Sequence, residues 1–197
     1  MWTYKKRMNK YAIIYADPPW SYDDKAMQRG GAERHYRTMD IEEIKKIPVS
    51  QMAYADSILF MWATFPKIKE ALNCIEAWGF NYKTCAFVWV KCNKRTNPQQ
   101  VTFDSKEYID VFWGMGRYTR SNAEICLLAT RGDGIKRRSS GIHQIRYAPI
   151  SQHSRKPTET RKKIEALCGK LSRVELFART TADGWDVMGD QVNKFKQ

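Results

Sequence analysis

Apolar positions along the chain fall alternately into short unbroken runs and into stripes of helical spacing. "YAIIYA" (11–16), "SILFMWAT" (57–64), "TCAFVWVK" (84–91) and "EICLLAT" (124–130) are continuous runs of strand length, as is "SRVELFART" (172–180). Unbroken apolar strands are buried on both faces, so each predicts an inner strand of a covered sheet. Between them lie helical signals. "MDIEEIKKI" opens on Asp40, with Glu43 three residues later in the spacing of a capping box. "PKIKEALNCIEAWGF" starts at Pro66 and stops at Gly79, and its Ile68, Leu72, Ile75 and Trp78 share one helical face. "KPTETRKKIEALCG" runs from Pro157 to Gly169 with Ile164 and Leu167 facing inward. The alternation predicts an α/β fold: a mainly parallel sheet with helices on both faces.

Neither repeats nor linkers interrupt this pattern, and 197 residues suit a single domain, 1–197. Residues 1–10 form a basic N-terminal segment. Two stretches lack periodicity, 92–121 and 131–156, and are read as substrate or interface loops. The first mixes basic and aromatic residues, and the second carries Lys136, Arg137, Arg138, Arg146, Arg155 and Lys156. Charge sharpens this picture. Lys and Arg number 34 against 21 Asp and Glu, a formal net charge of +13. Such an excess suits a polyanionic partner, and basic side chains among aromatic ones suit phosphates and bases. The five cysteines make no CxxC pair, and the three histidines have no metal-ligand spacing, so no metal site is expected and the thiols read as free. The chain has no long apolar segment, and its basic start lacks the apolar stretch of a signal peptide. A cytoplasmic protein, monomeric or homodimeric, without membrane association is expected.

One stretch asks for chemistry. "ADPPWSY" follows the first strand directly, and ligands of open α/β sheets bind beyond the carboxyl ends of strands. Asp17 offers a carboxylate. Pro18 and Pro19 fix φ and donate no N–H, but their carbonyls accept. A partner for so many acceptors must be a donor, and Trp20 adds a flat face for a base. The exocyclic amine of adenine fits. Its lone pair is delocalised into the ring, and two acceptors holding its two hydrogens pull the nitrogen toward a tetrahedral shape. A turn with a core tryptophan is the alternative on these residues alone.

"DPPW" at 17–20 resembles the signature of S-adenosylmethionine-dependent adenine-N6 methyltransferases. The similarity extends through "YRTM" (36–39), "LFMWAT" (59–64), "EICLLATRG" (124–132), "HSRKP" (153–157), "VELFAR" (174–179) and "GWDVMGDQ" (184–191). The family includes the catalytic subunit of the eukaryotic messenger-RNA adenosine methyltransferase and short phage and bacterial DNA adenine methyltransferases. The resemblance implies a Rossmann-like methyltransferase fold with the catalytic motif ahead of the cofactor-binding strand. It implies that Asp17 and the Pro18 carbonyl hold the target amine, with Pro19 stiffening the turn and Trp20 supporting or stacking on the base. Asp17 would also lie near the methionine part of S-adenosylmethionine. Lys156 would reach the cofactor carboxylate, with Glu175 orienting Arg179 or Lys156. Arg179, Thr180 and Thr181 would border ribose and adenine, and Asp190 and Gln191 would bind their edges. Thr181–Ala182 stand where the family often has His-Asn.

The substrate side would be closed by residues 21–37, with Tyr22, Arg34 and Tyr36, while Arg137 and Arg138 contact the nucleic-acid backbone and His153 orients a loop. The expected reaction is direct methyl transfer to the amine of a flipped or single-stranded adenine in DNA. RNA is the alternative substrate, and a non-catalytic nucleic-acid-binding relative the alternative class.

Overall fold

A computed structural model describes residues 9–22, 38–94, 111–114, 116, 118–150, 155–189 and 192. Its centre is a seven-stranded sheet of order β5-β3-β4-β2-β1-β6-β7. The strands are β1 (Tyr11–Ala16), β2 (Ala53–Ala63), β3 (Asn81–Cys92), β4 (Ala123–Arg131), β5 (Ile145–Pro149), β6 (Arg173–Leu176) and β7 (Asp186–Met188). Four of the six pairings are parallel, and β4 alone runs against both its neighbours. The sheet is thus mixed, and the expectation of a mainly parallel α/β sheet holds away from β4.

Side chains of successive strand residues point to opposite faces. Ile13 and Tyr15 of β1 and Ile58, Phe60 and Trp62 of β2 therefore pack on one face, under Ile164 and Cys168 of helix α4 (Glu159–Cys168). Ile14, Ala16, Leu59, Met61 and Ala63 pack on the other. That face is covered by α1 (Ile41–Lys45), α2 (Val49–Met52) and α3 (Ile68–Ala77). All six β1 residues are buried, which is why "YAIIYA" shows no polar alternation.

Local signals act as expected. The capping box forms at Asp40, whose side chain accepts from the Glu42 N–H at 2.8 Å while its own N–H donates to Glu43 Oε2. Helix α3 ends in a Schellman motif: Gly79, at φ 77°, lets the Phe80 N–H donate to Ile75 and its own to Glu76. Trp78 is fully buried, and its indole N–H donates to the Ile44 carbonyl at 3.1 Å.

Two expectations are corrected. The stretch 131–156 is not one loop, because β5 lies within it and pairs in parallel with β3. Its first part, up to Gln144, therefore runs at the amino ends of the parallel strands, away from Asp17. The strand predicted over 172–180 stops at Leu176, because Phe177 adopts φ 61°. A left-handed conformation is uncommon for a bulky residue and turns the backbone out of the sheet.

Candidate active site

β1 delivers Asp17 to the carboxyl end of the sheet, between β2 on one side and β6 on the other. The turn after it is fixed by backbone bonds. The Trp20 N–H donates to Pro18 O at 3.0 Å and the Met39 N–H to Pro19 O at 2.9 Å, while the Ser21 N–H donates to Met39 O. The Pro18 carbonyl is already used once, and an oxygen with two lone pairs can accept a second donor.

Lys156, just ahead of α4, reaches Asp17 Oδ1 at 2.7 Å and Glu124 Oε2 at 3.2 Å. Glu124 also pairs with Lys91 at 2.6 Å. Asp17, Lys156, Glu124 and Lys91 thus form a chain of alternating charge across the strand ends. Burial pushes Glu124 toward the neutral form, but Lys156 and Lys91 outweigh it and hold the carboxyl below its ordinary value. A second buried acid, Glu175 on β6, pairs with Arg161 of α4. There burial wins over Arg161, Asp17 adds repulsion, and the carboxyl is raised. Arg161 continues to Thr180 Oγ1 at 3.1 Å. Tyr15 is buried, accepts from the Trp62 indole N–H at 2.7 Å, and is pushed well above the usual phenol range by burial.

Two cavities open onto these groups, and Asp17, Lys156 and Arg179 line both. One, of about 190 Å³, is bounded by Pro18, Trp20, Tyr22, Trp62, Thr64 and Glu124. The other is lined by Tyr15, Arg155, Arg161, Glu175, Phe177 and Thr180. Trp20 is only 6% exposed and its indole N–H donates to the Trp62 carbonyl at 3.2 Å. Of its two expected roles, burial suits support of the wall rather than an open stacking face. Tyr22 shares a 2.5 Å hydrogen bond with Thr64, with Lys67 over its ring.

The structure therefore brings together Asp17, Pro18, Trp20, Tyr22, Lys156, Glu175, Arg179 and Thr180, with Pro19 in the turn. It does not bring Arg137 and Arg138 there. Both are exposed, and the Arg138 N–H donates to Leu167 at the far end of α4, about 15 Å along a ten-residue helix. Thr181 is exposed and lines neither cavity. Glu175 is held by Arg161. Arg34, Tyr36, His153, Asp190 and Gln191 lie outside the described residues. Glu124, Arg161 and Tyr15 were missed from sequence. Glu124 carried the same signal as Glu175, an acid in an apolar strand that requires a partner.

The MT-A70 family profile matches residues 11–191. The chain belongs to the MT-A70 family. The type II methyltransferase M.MunI of Mycoplasma sp is 32% identical over 201 residues, covering 93% of this chain and 78% of the relative. The human N(6)-adenosine-methyltransferase catalytic subunit METTL3 is 26% identical over 94% of this chain, which spans 29% of that protein. The probable N(6)-adenosine-methyltransferase MT-A70-like of Oryza sativa subsp. japonica is also 26% identical, with 24% of its length covered. No helix among the described residues is long and apolar enough to cross a membrane.

Proposed function

We propose that this MT-A70 member transfers a methyl group from S-adenosylmethionine to the exocyclic amine of adenine in DNA. The observation that carries the reading is the position of Asp17 on the wall shared by two cavities, with Lys156 beside it. The groups around the Glu175 cavity fit a zwitterionic nucleoside. Lys156 and Arg155 are cations for a carboxylate, Asp17 is an anion for an amine, and the Glu175–Arg161–Thr180 cluster is polar. Phe177 and Tyr15 add apolar surface for a ring. S-adenosylmethionine, when bound, supplies a methyl group on a cationic sulfur, an electrophile that needs no further activation.

The chain's own residues orient the acceptor. Asp17 accepts one N–H of the adenine amine and the Pro18 carbonyl the other, which turns the lone pair out of the ring plane. Pro18 and Pro19 keep those acceptors stiff, so orientation is established before the reaction. As the nitrogen gains its new carbon it becomes positive, and the adjacent Asp17 carboxylate offsets that charge and accepts a proton once the bond has formed. Lys156, gripped by Glu124, fixes the carboxylate's orientation. The larger cavity opens onto Trp62 and Tyr22 and suits a base removed from its stack.

DNA is favoured by the M.MunI relative, of which the chain covers 78%. RNA is the second reading, favoured by the names of the METTL3-type relatives. A cytoplasmic location and a monomeric or homodimeric state belong to the same proposal. Incubation with labelled S-adenosylmethionine and matched single-stranded DNA, duplex DNA and RNA, followed by mapping of modified adenines, tests it. N6-methyladenine in DNA is expected, and unmodified adenine in every substrate overturns the reading.

A further inference from the structure

The segment between β3 and β4 begins and ends at the carboxyl edge that holds Asp17. β3 ends at Cys92, and β4 starts at Ala123, one residue before Glu124. The chain returns to this edge at Val111, which is buried and bridges to Cys92, while the Phe112 N–H donates to Lys91 O at 2.8 Å. Lys91 is the outer cation of the charge chain that ends on Asp17. The next residue, Trp113, is 67% exposed, and Tyr118 is 95% exposed.

Trp113 is held out by a built support. The Ser121 N–H donates to Gly114 O at 3.2 Å, so the outgoing and returning limbs lie side by side. A Cβ at Gly114 would sit 2.0 Å from Ser121 O, and one at Gly116 2.1 Å from Thr119 O. Only glycine allows limbs this close. The returning limb places the Arg120 guanidinium 5.0 Å from the centre of the Trp113 ring. A guanidinium over an aromatic ring sets a positive charge beside the flat surface and carries several N–H donors suited to a phosphate. The pair offers both things a nucleotide needs, a flat surface for the base and a cation for the phosphate.

We propose that Trp113 and Arg120 form a stacking clamp for a base of the substrate strand flanking the target adenine. This rests on the nucleic-acid substrate reading above. Three strand intervals separate β1 from β3 in the order β3-β4-β2-β1. At about 4.8 Å each they place the end of β3, where the clamp is rooted, about 14 Å from Asp17 along the edge. At the B-form rise of 3.4 Å per nucleotide this is about four nucleotides, and fewer for a stretched strand. The clamped base therefore lies within four positions of the adenine. Charge favours a nucleic acid over a second copy: a formal +13 repels copies of the chain and attracts phosphates.

The test uses the full chain and a fluorescein-labelled single-stranded DNA 12-mer with one central adenine, read by anisotropy. A companion set carries one abasic site at each flanking position. Trp113→Ala is expected to weaken binding roughly 5- to 150-fold, the range for loss of one stacked base, and Trp113→Phe to restore most of it. One abasic site within four nucleotides should weaken wild type similarly and leave Trp113→Ala unaffected. Tyr82→Ala removes a 46% exposed aromatic near the start of β3, at the opposite end of the sheet, and should bind as wild type. Wild-type affinity in Trp113→Ala overturns the clamp, as does an equal abasic penalty in both proteins. A dimer-to-monomer change in sedimentation with unchanged affinity per protomer also overturns it, because the aromatic is then a contact between copies. If wild type binds the 12-mer but leaves adenine unmodified in it and in every substrate named above, the methyl-transfer reading fails while the binding comparison still decides the clamp.

Discussion

Replacing Glu124 with Gln tests whether the buried charge chain is an electrostatic unit. Glu124 stands between Lys156 and Lys91, at 3.2 and 2.6 Å, and its side chain is only 9% exposed. The substitution keeps volume and removes one negative charge. Lys156 retains Asp17 at 2.7 Å, and Lys91, 20% exposed, can turn to water. Breaking a buried pair costs about 3–5 kcal/mol, and these two outlets place the cost near the lower end, about 3 kcal/mol. For a chain of this length that is about 6–12 °C in Tm. The effect has a sign in pH. The folded Glu124 carboxyl is held below its ordinary value, so its stabilisation is present above about pH 4.3 and is lost as pH falls through the lower folded value. The gap between wild type and Glu124→Gln, measured by urea unfolding from pH 7 down to pH 3, should be largest at neutrality and close in acid. A loss under about 1 kcal/mol at pH 7, or a gap that widens on acidification, would refute the argument.

Glu175 is raised instead, so its contribution is greatest below the ordinary carboxyl value and falls as pH rises through the raised one. The same unfolding series on Glu175→Gln should show a penalty that shrinks with rising pH, the reverse of Glu124→Gln. Asp17→Ala should lower methyl transfer by about 10²–10³-fold or more, the scale for losing one group aimed at developing charge. Calorimetry should still register cofactor binding in that variant, because the Glu175, Phe177 and Thr180 wall is intact. Gly189→Ala would set a Cβ 2.5 Å from Ala178 O and 2.9 Å from Ala178 N, backbone atoms that cannot move aside. It should destabilise by about 1–3 kcal/mol in thermal unfolding and weaken cofactor binding, because the displaced segment includes Phe177–Thr180.

The inner elements were legible because burial writes itself into sequence. Residues 11–16 are the strand read from "YAIIYA", Gly79 and Gly169 follow the ends of α3 and α4, and Pro66 lies in a 3-10 turn (Phe65–Lys67) that leads into α3 at Ile68. What sequence hid lies at the edges of the sheet. β5 has one buried residue in five and β7 none in three, so neither shows an apolar run or clean alternation. β4 looks like any inner strand, because its direction leaves no mark on its composition. At the site, "DPPW" and "HSRKP" were readable as motifs, but the partner of Glu175 was not. Arg161 sits in a basic run of α4 that reads as a solvated face, and only the packing of α4 against β6 shows which of its cations turns inward.

That packing also accounts for where Asp17 stands. From β1 the chain passes through α1 and α2 to β2 on one flank, and it returns from β5 at the far edge through α4 to β6 on the other. The connections diverge at the carboxyl end of β1, and a crevice must open there because neither crossover covers it. Asp17 is the first residue past that end. The β2 flank supplies Trp62 and Thr64 to one cavity, and the β6 flank supplies Glu175 and Phe177 to the other. A group transferred between two ligands needs a residue facing both, and a residue leaving the strand at the divergence meets that condition. Lys156 meets it from the other direction, because α4 must cross this edge to reach β6. The pairing of Asp17 with Lys156 thus follows from topology, and the two prolines hold the turn at the one point where both cavities are within reach.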